Sequence, residues 1–318
     1  MSQVTENPFV YSDTNKRYHT YDYYLRHKFS EKCAKITLDA GFTCPNIDGS
    51  RGVGGCIYCS GGSRSAGCDG LLPLITQYES QKKQILSKWT VSKFIPYLQA
   101  YTNSYTSPEN FEKILNEISD FDGAVMIDIA TRADCLEDEK IKILDRVSEK
   151  IPVTVELGLQ SSNDNTAKRI NRCHTYEEFT DCFARLRKNA PRVKIAVHII
   201  NGLPGESRED MIRTLCDVDG LCPDILKIHL LHVIKDTPLG KMYEMGSYTP
   251  LEKDEYVGIV CDQLELLSPD IVVERVTGDG LKDSLLAPLW SLRKTSVIND
   301  IDKELYNRGT YQGAKRTR

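Results

Sequence analysis

The sequence predicts an α/β fold whose parallel strands and helices alternate and whose sheet closes toward a barrel, and three observations carry that expectation. Short apolar, β-branched runs alternate with longer amphipathic stretches, and the unit repeats at least five times. The apolar runs are continuous, which suits parallel strands buried on both faces. Polar clusters follow the runs directly, and in parallel barrels the loops after the strands carry the chemistry.

The elements follow in order. Arg17–Lys28 is aromatic and mildly basic; it reads as an amphipathic helix docked on the main domain, or as a segment facing nucleic acid. Strands are expected at Lys35–Asp39, Phe94–Ala100, Ala124–Ala130, Val153–Leu159, Lys194–Ile200 and Ile225–His232. Helices are expected between them at Ile75–Lys88, Pro108–Ser119, Asp138–Ser148, Tyr176–Lys188 and Ser207–Val218. An amphipathic stretch, Lys253–Leu267, and a possible seventh strand, Ile271–Val276, come after. No Pro/Gly/Ser linker marks an independent second domain. The expected division is residues 1–30 as an N-terminal extension, 31–250 as the barrel and 251–318 as a C-terminal extension packed on it. The polar clusters Gln99–Ser104, Thr131–Asp134, Gln160–Ser161 and Asn201–Glu206 then share one rim.

A chain of 318 residues with 40% hydrophobic and 27% charged content buries a large core without disulfide staples. The net charge of −4 gives no global attraction to nucleic acid, so RNA binding would need a local patch. Nothing near the N-terminus resembles a secretion signal, and no apolar run approaches membrane-spanning length. A reducing cytoplasm is the expected setting, where clustered cysteines favour metal over disulfide.

Three of the eleven cysteines, Cys44, Cys56 and Cys59, lie in a glycine-rich loop spaced C-x11-C-x2-C directly after the first strand. Zinc sites usually show two C-x2-C knuckles or nearby histidines. Cys68 could complete a closed four-cysteine zinc or iron–sulfur site. A cluster held by three thiolates would instead leave one iron open to a ligand. The spacing leaves both open, along with a loop that holds no metal.

Taken together, Ile36-Thr-Leu-Asp-Ala-Gly-Phe-Thr-Cys44-Pro-Asn, Gly54-Gly-Cys56-x-Tyr-Cys59, Gln99-Ala-Tyr-Thr-Asn, Thr131-Arg-x-Asp134, Glu156-Leu-Gly-Leu-Gln160-Ser, Asn171-Arg-x-His174, Gly202-Leu-Pro-Gly-Glu206 and Lys227-Ile-His resemble the radical S-adenosylmethionine (SAM) superfamily. Within it they resemble the branch related to the Elongator catalytic core, and in particular the short bacterial YhcC/YtqA-like proteins. The resemblance spans roughly Tyr18 to Leu286. It implies a partial (β/α)6 TIM-like radical SAM barrel and a [4Fe-4S] cluster held by Cys44, Cys56 and Cys59, with SAM on the fourth iron. It also implies cleavage of SAM to a 5′-deoxyadenosyl radical and a low-potential electron donor such as flavodoxin or ferredoxin. By resemblance, Tyr58 packs on adenine, and Gln160, Ser161 and Lys168 bind the ribose and carboxylate of SAM. Gly202 to Glu206 lie along the adenine. Asn103 stands where the family's glycine-rich loop meets the SAM amino group, and Cys173 stands where relatives carry glycine. Three of these have a plainer reading: Tyr58 as a packing residue, Lys168 as a solvated lysine, Gly202–Glu206 as a turn. His198, His229 and His232 read as core histidines, or as residues facing the lumen.

Three functions compete. Relatives in the Elongator branch act on the tRNA wobble uridine or its C5 side chain, so the resemblance makes tRNA the leading substrate. No acetyltransferase-like segment follows the barrel, which argues against acetyl transfer. A small-molecule substrate is the alternative within the family, and a non-catalytic protein with a closed four-cysteine site is the alternative outside it. The catalytic residues beyond the cluster are not identified from sequence.

Overall fold

The computed structural model describes residues 7–60, 68–278, 280 and 282–316. Thr317 and Arg318 at the end of the sequence lie outside them. Seven parallel strands lie in one sheet in chain order: β1 (Cys33–Leu38), β2 (Lys93–Leu98), β3 (Ile127–Thr131), β4 (Val153–Gln160), β5 (Lys194–Asn201), β6 (Ile225–Leu230) and, after the short β7 (Val233–Ile234), β8 (Val272–Arg275). The six expected strands are present, and β8 adds a seventh contributed by the stretch after residue 251. β7 pairs antiparallel with β9 (Leu285–Ala287) in a separate two-stranded ribbon.

The sheet curls strongly. Lys35 on the first strand reaches Glu274 on the last, with Nζ 2.5 Å from Oε1, although among the described residues β1 and β8 are not hydrogen-bonded neighbours. Helix α1 (Tyr21–Phe29), from the aromatic N-terminal stretch, closes the bottom of the curl. Its Tyr21 and Leu25 join Ile95, Met126, Ala196, Ile225 and Val272 in a small apolar cluster. The His19 carbonyl accepts from Val273 N at 2.7 Å, fastening the extension to the edge strand.

The main core lies outside the sheet, under α2 (Leu74–Leu86), α3 (Pro108–Ser119), α4 (Asp138–Lys150), α6 (Tyr176–Asn189), α7 (Arg208–Gly220), α9 (Lys253–Leu266) and α10 (Lys294–Asn307). Short helices α5 (Asp164–Arg169) and α8 (Pro238–Glu244) sit within the loops above β4 and β6. The helix starts are chemically specified. Ser107 accepts from Asn110 N ahead of Pro108, and Thr175 with Glu178 forms a reciprocal capping box. Among the described residues no helix is long and apolar enough to cross a membrane.

Inside the curl the floor is charged. Lys35 Nζ lies 2.6 Å from Asp128 and 3.0 Å from Glu156. Lys227 Nζ lies 2.5 Å from Glu156 and 2.9 Å from Glu274. Five ionisable groups from five strands thus meet where parallel barrels usually pack branched apolar side chains.

Candidate active site

The three cysteines lie in the loop that leaves β1 at the C-terminal rim. Left-handed backbone at Gly54 (φ +81°) and Gly55 (φ +76°) turns the chain so that Cys56 and Cys59 come back toward Cys44. Two asparagines hold this turn. Asn171 Nδ2 donates to the carbonyls of Val53 (3.1 Å) and Gly55 (2.8 Å). The buried Asn46 donates to the Asn171 carbonyl, and its amide stands 3.6 Å from Cys56 Sγ. The loop is also pinned from two sides at Ile57, whose N–H donates to Ile170 O (3.1 Å) and whose carbonyl accepts from Leu239 N (2.9 Å).

Cys44, Cys56 and Cys59 border one chamber of about 250 Å3 that runs down to the charged floor. Tyr58, Gln99, Arg132, Gln160, Arg172 and His174 form its upper wall, and Tyr97, Glu156, His198, Lys227, His229 and Arg275 its lower one. The three sulfurs do not all lie within 4.8 Å of one another. Four thiolates on one zinc ion at Zn–S distances of about 2.3 Å would sit closer together than that. The wider spread suits a polynuclear iron–sulfur cluster, and the Asn46 amide supplies a hydrogen bond to sulfur of the kind that tunes one. Cys68 does not join them: its Sγ donates to the Thr37 carbonyl at 3.0 Å, between β1 and α2. Of the alternatives the spacing leaves open, the one with Cys68 as fourth ligand has that thiol turned toward Gln81 of α2, on the outer side of the sheet. Burial pushes the Cys56 thiol up to about 11, so binding a metal there displaces a proton.

The lower chamber is highly organised. Glu156 accepts from Lys35 and Lys227 on one oxygen, and from Tyr97 (2.6 Å) and His198 (3.0 Å) on the other. Burial opposes its ionisation, but Lys227 and Lys35 more than offset that and hold the carboxyl well below its usual range. A carboxylate on Nε2 makes His198 the donor there. Burial first, and Lys227 next, lower the His198 pKa. His174 is 4% exposed, and among the described residues neither ring nitrogen has a hydrogen-bond partner, with Asp134 Oδ1 3.9 Å from Nδ1. Burial, then Arg172 and Arg132, push it down to about 2, so it is neutral.

Of the site residues expected from sequence, Cys44, Cys56, Cys59, Tyr58 and Gln160 meet at the chamber. Gln160 reaches it from a left-handed backbone (φ +68°) beside an irregularity in the β4–β5 register. The others stand elsewhere. Asn103 spends its amide on the Leu98 (3.0 Å) and Ala130 (2.9 Å) carbonyls. The Ser161 hydroxyl donates to Glu206, a pair set behind the chamber wall. Gly202 is covered by Tyr248, whose hydroxyl donates to its carbonyl at 2.7 Å, and by Leu251. Lys168 is exposed and lines a separate groove with Arg51, Cys173 and Glu178. Arg132, Arg172 and the floor residues went unassigned from sequence, although a charge inside an apolar strand run, as at Asp128 and Lys227, is a signal that could have found the floor.

Residues 49–217 match the model of the Radical SAM superfamily, and residues 223–307 that of the Radical_SAM C-terminal domain. The chain belongs to the radical SAM superfamily. It is a radical SAM enzyme, and the family's cofactors are a [4Fe-4S] cluster and SAM. It is 44% identical to YtqA of Bacillus subtilis over 98% of this chain and 96% of that protein. A tRNA uridine(34) acetyltransferase of Dehalococcoides mccartyi is 32% identical over 142 residues, 41% of this chain and 30% of that protein. Among solved structures, the archaeal Methanocaldococcus infernus Elp3 with its N-terminus deleted has the same fold, with TM-score 0.66 and 18% identity over 88% of this chain. The match spans 64% of that Elp3 chain.

Proposed function

We propose that this radical SAM enzyme holds its cluster through Cys44, Cys56 and Cys59, and acts on a tRNA wobble uridine or its C5 side chain inserted into the barrel. The observation that carries the reading is the shared chamber. Three thiols open onto it without a fourth cysteine among the described residues, and it continues to a polar floor deep inside the curl. When bound, the cluster and SAM supply one-electron cleavage of the sulfonium and a radical able to abstract a hydrogen atom.

The chain's own residues do the rest. Asn46 and Asn171 hold the loop in the shape the cluster needs. Tyr58 and Gln160 flank the position assigned to SAM. Ser161 and Glu206 brace the wall behind Gln160, while Asn103 and Gly202 shape the loops around it. Helix α1 packs across the lower end of the curl through Tyr21 and Leu25, and a reactive radical requires such shielding from water. A low-potential flavodoxin or ferredoxin is the proposed electron source.

The tRNA part is supported by the partial likeness to the uridine(34) acetyltransferase. Its test is mass spectrometry of tRNA nucleosides from a strain lacking the protein, complemented with wild type or with the Cys56→Ala variant. A modified uridine should change in the deletion strain and be restored only by wild type. An unchanged profile would turn the reading to a small-molecule substrate.

A further inference from the structure

A second chamber of about 260 Å3 opens beside the first, walled by Ile200, Leu230, Leu231 and Ile234. Tyr58, Cys59, Gln99, His229 and Arg275 belong to both walls, so they mark the junction. The other cations around the first chamber are spent. Lys35 and Lys227 are held by the floor carboxylates. Arg132 is paired in a fork with Asp134 at 2.9 and 2.8 Å. Arg172 donates to the carbonyls of Leu159, Ser161 and His174. Arg275 differs. It is half-buried, and among the described residues its guanidinium has neither an ion pair nor a hydrogen bond.

The backbone aims it there. Leu226 of β6 pairs with Val273 of β8, and Lys227 pairs with Arg275, so Glu274 is the extra residue of a β-bulge. A regular strand would send Glu274 and Arg275 to opposite faces. The bulge lets both serve the lumen: Glu274 meets Lys35 and Lys227, and Arg275 reaches the junction. Bulges re-aim side chains in this way beside functional sites. A guanidinium withdrawn from bulk water is unfavourable until an anion meets it, and its planar fork matches a carboxylate or a phosphate. The neighbouring His229 adds an Nε2 atom that has no hydrogen-bond partner among the described residues.

We propose that Arg275 is a substrate-recognition residue that pairs with an oxyanion, carboxylate or phosphate, on the group inserted into the barrel. This rests on the functional reading above, which puts the substrate in this cavity, and it narrows the substrate to one bearing negative charge near the reacting position.

The test titrates acetate and inorganic phosphate separately into anaerobically reconstituted, SAM-loaded protein, and follows binding by NMR line widths of the probe. Wild type is expected to bind at least one probe, and the probe that binds identifies the source of the oxyanion. R275Q is expected to bind it about tenfold or more weakly, and R275K, which keeps the charge without the fork, to fall between. Equal binding by R275Q, or no binding of either probe to wild type, overturns the proposal. Displacement of SAM by the probe also overturns it, because Arg275 would then serve the cofactor's own carboxylate. Should R275Q fail to fold, R275K decides, and wild-type affinity for both probes in that variant overturns the proposal. No tRNA or turnover enters the readout, so an unchanged nucleoside profile would defeat the tRNA reading and leave this one to its own titration.

Discussion

At Gly52 the cysteine loop has no room for a β-carbon: one built there would lie 2.2 Å from Asn46 Oδ1 and 2.7 Å from Cys173 Sγ. Gly52→Ala must therefore push Asn46 off Cys56 and Asn171. The expected outcome is iron and sulfide content reduced toward that of Cys56→Ala, read by anaerobic reconstitution and counting. Cys68→Ala should keep wild-type iron, because that thiol faces the Thr37 carbonyl. His174 gives a pH prediction. Its folded-state pKa, about 2, lies below the ordinary value near 6.5, so the unfolded chain takes up a proton that the folded one refuses. Stability from this group is complete above about pH 6.5 and is lost as pH falls. Between about pH 7 and 5 the loss from His174 alone is about 2 kcal/mol. The half-buried histidines His198 and His229, also shifted down, act in the same direction. Thermal melts of the apo-protein at the two pH values should show a smaller acid-induced drop for His174→Gln than for wild type; equal drops would contradict the assignment.

Among the elements, α1 and its approach segment decide how the N-terminal extension is used. Of the two readings of Arg17–Lys28, a docked helix or a segment facing nucleic acid, the structure gives Arg17 to docking. Its side chain is buried, stacks over the Tyr306 ring and points toward the Thr310 carbonyl. Arg26 is engaged by Asp22 at 2.7 Å, and Lys28 lies over the rings of Tyr24 and Phe29. Arg17→Glu buries an unpaired carboxylate and should lower the melting temperature by an amount equivalent to several kcal/mol. Lys28→Glu should leave the melt within about 0.5 kcal/mol of wild type, as surface changes do. If tRNA contacts this helix, a filter-binding assay should find Lys28→Glu weaker and its salt dependence shallower, by about one unit of slope per lost phosphate contact. An unchanged slope would remove α1 from the RNA surface.

For the molecule as a whole, the charged floor is the costly feature. Five ionisable groups withdrawn from water contribute little net stability compared with an apolar core, so their presence points to a role in the chamber. Glu156 is their hub, accepting from two lysines, a tyrosine and a histidine. Glu156→Gln leaves Lys35 and Lys227 short of one carboxylate and should cost about 3–5 kcal/mol, read as a lowered melting temperature. A loss under about 1 kcal/mol would mean that Asp128 and Glu274 carry the network without it. Replacing the whole set by apolar residues of matched volume is expected to fold and to lose substrate turnover, and turnover at the wild-type level would show that the floor has no part in the chemistry.

The alternation of continuous apolar runs with amphipathic stretches is local information, and it was enough for the parallel α/β architecture. Six strands and helices such as Pro108–Ser119 stand where the pattern put them. The spacing of Cys44, Cys56 and Cys59 left more than one metal site open, and it was the resemblance of the ordered motifs to the radical SAM superfamily that pointed to the family. The seventh strand was harder to read, being short and placed after a long helix. Harder still was the direction in which each polar residue points. Asn103, Ser161 and Gly202 follow the right strands, yet their polar groups are used by neighbouring backbone and side chains. Glu274 and Arg275 share the lumen only because of a bulge in their pairing with Lys227. Lys35, Asp128, Glu156, Lys227 and Glu274 come from five separate strands, and no local pattern joins them. Strand register and sheet curl decided those meetings, because inward direction at a given residue depends on its partner strand as well as on its own neighbours.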